Sequence, residues 1–194
     1  NNNKLIKCYM DSNVFLIKWY GPFRHTKEIR EEIKKWEEKQ NFKCSLYLLH
    51  GFRKYAKTKD SYYCGMTTRS VFERFRDRKH HIEEIENRIC SIYVGSISNI
   101  KTPSRKQIML AEKIITSYLA GVIGEENMLN STNFYYPNKD VYVINEWRKL
   151  DCDSLWLRQP RNAPSNIVPD VLTYHYENCN DIDLFGCKKL RRLL

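Results

Sequence analysis

No apolar run in this sequence approaches the ~20 residues of a membrane-spanning helix, which argues against an integral helical membrane protein. Paired cysteines are also missing. The seven that occur (Cys8, Cys44, Cys64, Cys90, Cys152, Cys179 and Cys187) are odd in number and scattered, without a Cys-x-x-Cys pair. That pattern argues against a disulfide framework and a structural zinc site; it suits reduced thiols and a cytoplasmic location. Several lie in apolar strand-like runs, where cysteine behaves as a small hydrophobe. The histidines show no metal-ligand spacing, which disfavours a His-based metalloenzyme. There is no internal repeat, no low-complexity segment and no signal-peptide pattern after Asn1.

What is abundant is positive charge. Lysine and arginine number 33 against 23 acidic residues, a formal net charge of +10 over 194 residues. Such an excess favours a polyanionic partner through phosphate contacts and counterion release. The length suits one domain, or one domain with extensions, and suffices for a sizeable core.

Along the chain, residues 14–20 read as a strand closed by the turn Gly21-Pro22. A helix over residues 26–40 follows, with Thr26 as its N-cap and Ile29, Ile33 and Trp36 on one face. Residues 44–50 and 61–65 are strand-like and flank a lysine-rich loop. The capping-box pattern Ser70-Val71-Phe72-Glu73 opens a helix expected to reach about Arg88. On it Arg74, Arg78 and His81 recur at i, i+4, i+7 and would share one face. A third strand spans 90–97, and a second long helix starts near Pro103 or Ser104 and stops at Gly121 or Gly124. Its apolar stripe is Ile108, Ala111, Ile115, Tyr118 and Val122. Glu112 borders that stripe, and a carboxylate there must be paired, protonated or bound to a cation. Residues 141–144 read as a further strand, with Trp147 and Trp156 packing locally.

The order strand, strand, helix, strand, helix over residues 44–133 resembles the GIY-YIG nuclease domain. Ser45-Leu46-Tyr47 stands where that family has Gly-Ile-Tyr, and Tyr63-Cys64-Gly65 where it has Tyr-Ile-Gly. Arg74 matches its helix arginine, Leu110-Ala111-Glu112 its metal-binding glutamate segment, and Met128-Leu129-Asn130 its terminal asparagine, with Asn133 as the alternative. The resemblance implies an α+β fold with a small central antiparallel or mixed sheet of about three strands flanked by helices. Residues 43–135 would form that core, with an N-terminal extension (1–42) and a C-terminal one (136–194).

The activity implied is divalent-metal-dependent hydrolysis of double-stranded DNA, with Mg²⁺ or Mn²⁺ on Glu112. Tyr47 would act as general base, Tyr63 would hydrogen-bond near the scissile phosphate, and Arg74 would offset developing charge. Asn130 would help position the site, while His81 or Arg78 would supply a third polar partner. Lys54, Lys57, Thr67, Arg69 and Arg78 are expected on the DNA. The short extensions favour a restriction-type, sequence-specific enzyme, with a homodimer compatible, over a repair or mobile-element nuclease. A non-catalytic nucleic-acid-binding module is the next alternative.

Overall fold

The strand-like runs pair into a sheet much wider than three strands. The computed structural model describes residues 13–23, 28–53, 60–78, 80–85, 88–132, 134–151, 154–156 and 167–176, and the backbone of 182–185. Its strands are β1 (Asn13–Phe23), β2 (Leu46–Phe52), β3 (Asp60–Met66), β4 (Ile89–Ile97), β5 (Val141–Arg148), β6 (Val171–Tyr174) and β7 (Ile182–Phe185). They form one seven-stranded mixed sheet in the order β3-β2-β4-β1-β5-β6-β7. The three-strand expectation is thereby corrected: segments expected as extensions supply β1 and β5 to β7.

The physical reason is the free edge of β4. A three-strand sheet would leave its main-chain donors and acceptors unpaired beside an apolar surface. β1 takes that edge antiparallel, with Ile17 opposite Ile97 and Tyr20 opposite Val94, and β5 continues parallel to β1. Phe15, Ile17 and Trp19 alternate onto one buried face as period-2 patterning requires. Trp156 packs locally, with Lys149 over its ring and its backbone N–H on Trp147 O at 2.9 Å, but both tryptophans also reach β1. Trp147 stacks on Trp19 at 5.8 Å, and the Trp156 indole N–H donates to Gly21 O at 2.7 Å. Buried Asn145 accepts from Trp19 Nε1 at 2.8 Å and donates to Pro169 O at 2.8 Å, locking β5 to β1.

Helices cover both faces. On one lies α4 (Arg105–Ile123), numbered after α1 (Ile29–Glu37), α2 (Val71–Phe75) and α3 (Ile82–Ile85) on the other. Ser104 and Gln107 form a capping box at the start of α4, and Gly124 ends it at φ 86°, where a side chain would be strained. Gly121 lies inside this helix. Val122, expected in its buried stripe, is 52% exposed, and in this last turn Ile123 is the side chain that packs against the core. Among the described residues no helix is long and apolar enough to cross a membrane.

α1 buries Ile29 and Ile33 and sets Trp36 against Tyr20, Phe23 and Phe42. Thr26 lies outside the described residues. The Glu37 carboxylate accepts from the backbone N–H groups of Val71 and Phe72 at 2.9 and 3.0 Å, so α1 caps α2. Burial raises its pKa, which those two bonds partly offset. The single helix expected from Ser70 to about Arg88 is two short ones instead. Residues 76 to 80 are all charged or imidazole and offer no apolar anchor for a continuous stripe, so the chain turns, and His80 Nδ1 accepts from Ile82 N–H at 3.1 Å at the start of α3.

Candidate active site

Tyr47 lies directly opposite Gly65 in the β2–β3 register, and Tyr63 lies two residues before Gly65, so all three share one sheet face. The Tyr47 and Tyr63 rings stack at 5.8 Å, and Phe75 of α2 meets Tyr47 edge-on at 5.0 Å. Glycine is needed at position 65 because the Tyr47 ring crosses it. A methyl there would sit 2.4 Å from Tyr47 Cζ and Oη and 2.5 Å from Tyr63 Cε1. Gly65→Ala is expected to lower unfolding stability by about 1–3 kcal/mol through overpacking. A denaturant midpoint equal to the parent's would show that the rings have room to shift.

Tyr47 is fully buried, and its Oη lies 2.9 Å from His80 Nε2. Because His80 Nδ1 already accepts a backbone N–H, the ring proton of the neutral imidazole sits on Nε2 and is donated to Tyr47 Oη. His80 stays neutral: burial, then the Arg74 charge, pushes its pKa down to about 3. Burial and the neighbouring Tyr63 raise the Tyr47 pKa, against the pull of Arg74. Tyr63, also raised by burial, is eased back by a hydrogen bond from Tyr47 and by the Arg74 charge, while Glu112 raises it further. The three groups thus form a donor chain, His80 to Tyr47 to Tyr63, and Tyr63 is the phenol better placed to ionise.

Arg74 sits beside the phenols, with Nη1 2.6 Å from Asp77 Oδ2. Burial would lower its pKa, but hydrogen bonds to Asp77 and Tyr47 more than compensate, so it is always charged. Asp77 also takes Arg69 Nη2 at 2.6 Å, and the two guanidinium groups hold its carboxyl below the usual range. One carboxylate therefore fixes two arginines.

Glu112 projects from α4 at the β3 edge of the sheet and is 7% exposed. Its charge raises the pKa of Tyr63 and of Cys64, so the carboxylate lies within electrostatic reach of those two side chains. The free edge of β3 is closed by the segment after α4. Leu129 N–H donates to Tyr62 O at 2.7 Å, and Arg53 Nη2 holds Met128 O at 2.7 Å. Asn130 completes the ladder with its side chain, donating to Cys64 O at 2.7 Å and accepting from Cys64 N–H at 3.1 Å.

Tyr47, Tyr63 and Arg74 thus come together, Glu112 acts on Tyr63 from the helix on the other face of the sheet, and Asn130 fixes the backbone between Tyr63 and Gly65. His81 flanks the site: its ring lies 4.8 Å from Tyr63 and its Nδ1 pairs with Glu84 at 2.6 Å. Arg78 is exposed, and with the helix broken it shares no common helical face with Arg74 and His81. Thr67 Oγ1 accepts from Arg69 N–H at 3.0 Å. Lys54, Lys57 and Asn133 lie outside the described residues. Sequence reasoning passed over His80 and Asp77, and only the break in helical periodicity after Phe75 could have flagged them. No protein-family model, curated protein or solved structure matches this chain.

Proposed function

We propose that this protein is a divalent-metal-dependent DNA endonuclease of the GIY-YIG type, restriction-like in acting at defined sequences. The observation that supports this reading is a stacked pair of phenols beside an arginine, with a buried carboxylate acting on one of them, on a chain of net charge +10.

The chemistry follows from what each group can do. Arg74, held in orientation by Asp77, donates to non-bridging oxygens of the scissile phosphate. A water enters at Tyr63, since Tyr47 is sealed from solvent. Tyr63 accepts the proton of the attacking water, Tyr47 donates to the Tyr63 oxygen as that charge changes, and the P–O3′ bond breaks opposite the nucleophile. Neutral His80 holds Tyr47 in place and does not titrate near neutrality. Asn130 keeps β3 from shifting under the load.

Among the described residues no group of three or more His, Cys, Asp or Glu could hold a metal ion. The donor set is one carboxylate, and it fits Mg²⁺ or Mn²⁺, ions that keep several waters and share phosphate oxygens. Held by Glu112, such an ion supplies Lewis-acid stabilisation to the leaving 3′ oxygen.

The test is plasmid cleavage. The purified chain is expected to nick or linearise supercoiled DNA with Mg²⁺ and to stop when a chelator is added. Discrete fragments from sequenced linear DNA mark a site-specific enzyme, and preference for branched substrates marks a repair role instead. Salt-sensitive binding with no cleavage under any divalent ion would overturn the enzyme reading in favour of a binding module.

A further inference from the structure

Beyond the tyrosine row, at the strand ends, opens a cleft of about 980 Å³ that Tyr20 and Phe42 line from the tyrosine face and Ile97 and Ile108 from the other. Its floor is a row across four strands. Thr67 N–H donates to Ser45 O and Ser45 N–H donates to Gly95 O, each at 2.9 Å, while Ser96 pairs with Lys18. By strand alternation Thr67, Ser45, Ser96 and Lys18 all point the way Tyr47 and Tyr63 do. They form the next row beyond Gly65, Tyr47, Val94 and Tyr20, about 6–7 Å along the strands, which is two residues of rise.

That row is chemically odd for the middle of a sheet. Its neighbour is glycine and apolar side chains, yet here are hydroxyls, and Ser45 is 3% exposed with an Oγ that finds no hydrogen-bond partner. A buried hydroxyl without a partner is costly and marks a position where something else supplies the bond. Among the described residues the lining charge has one sign: Lys18, Lys43 and Lys101 line the cleft and no carboxylate does. Glu146, across from Lys18 in the β1–β5 register, is taken by Arg148 at 2.6 Å. Phe42 on one side and Ile100 on the other add apolar surface to its lining.

We propose that this cleft seats a nucleotide of the bound strand next to the scissile phosphate. Its phosphate meets Lys18, Lys101 and the Ser45 hydroxyl, and its sugar and base lie along Phe42 and Ile100. The volume is at the upper end for small-ligand sites, enough for a nucleotide unit and its waters. The assignment of the ligand to the cleaved strand rests on the nuclease reading, while binding of a nucleic-acid phosphate does not.

The test uses the full chain and a fluorescein-labelled DNA duplex of mixed sequence in chelator, with anisotropy followed over a range of KCl concentrations. Lys18→Gln combined with Lys101→Gln is expected to reduce the slope of log affinity against log salt by about 1, close to the ~0.9 for one phosphate no longer neutralised. Ser45→Ala, a change too small to disturb folding, is expected to weaken binding roughly tenfold or more, as for loss of a hydrogen bond to a charged group. Ser91→Ala, at another buried serine outside the cleft, is the control and is expected to change nothing. An unchanged slope in the lysine variant, or equal effects at Ser45 and Ser91, would overturn the cleft assignment. Plasmid nicking by the parent is scored separately: a parent that never nicks but shows these binding losses keeps the cleft and loses the nuclease reading. Nicking with unchanged slopes does the reverse.

Discussion

Glu112→Ala is expected to reduce metal-dependent DNA cleavage by at least ~10³-fold, the order set by losing several kcal/mol of charge stabilisation at the leaving group. Binding to DNA in chelator should stay within about twofold, because a carboxylate repels the phosphate it faces until an ion intervenes. Cleavage by Glu112→Ala at the parent's rate would remove Glu112 from the mechanism. A lost fold would show instead that the carboxylate is structural, and Glu112→Gln, which keeps the shape without the charge, separates the two.

Much of this pocket was legible in the sequence because it is built from local patterns. Alternation along residues 44–50 and 61–65 put Tyr47 and Tyr63 on strands, and Gly65 opposite Tyr47 follows from their pairing. The boxes at Ser70 and Ser104 carried their helix starts. The helical stripe through Ile108, Ala111 and Ile115 carried the anomaly of Glu112. What failed was reasoning that extended one period too far. Treating residues 70 to 88 as one helix put His81 beside Arg74, whereas the turn after Phe75 swings His80 inward and leaves His81 flanking. The wide sheet was missed for a different reason: the pairing of β1 with β4 and β5 joins segments far apart in sequence, and nothing local in Val14 or Tyr142 names its partner. β6 and β7, four residues each, are too short to carry a pattern. Asn130 was read as a site residue, but its visible work is to complete the β3 ladder, a role that no sequence motif specifies.

The second large effect distinguishes the two phenols. The resemblance gives Tyr47 the base role, but Tyr47 is fully buried and the environment raises its pKa, through burial first and Tyr63 second. Tyr63 is raised too, yet it receives the Tyr47 hydrogen bond that favours its phenolate. A base whose pKa lies above the assay range gives a rate that climbs tenfold per pH unit as its ionised fraction grows, up to the plateau where it is fully deprotonated. With Tyr63 as base, Tyr63→Phe is expected to cost ~10²–10⁴ in kcat and to flatten this alkaline limb. Tyr47→Phe should keep the limb but displace it to higher pH, because Tyr63 loses the donor that lowers its pKa. His80, with its pKa held near 3, adds no limb between pH 5 and 8. The converse pattern, a flat profile in Tyr47→Phe and a displaced one in Tyr63→Phe, would move the base to Tyr47 and require the pocket to open far enough for water to reach it.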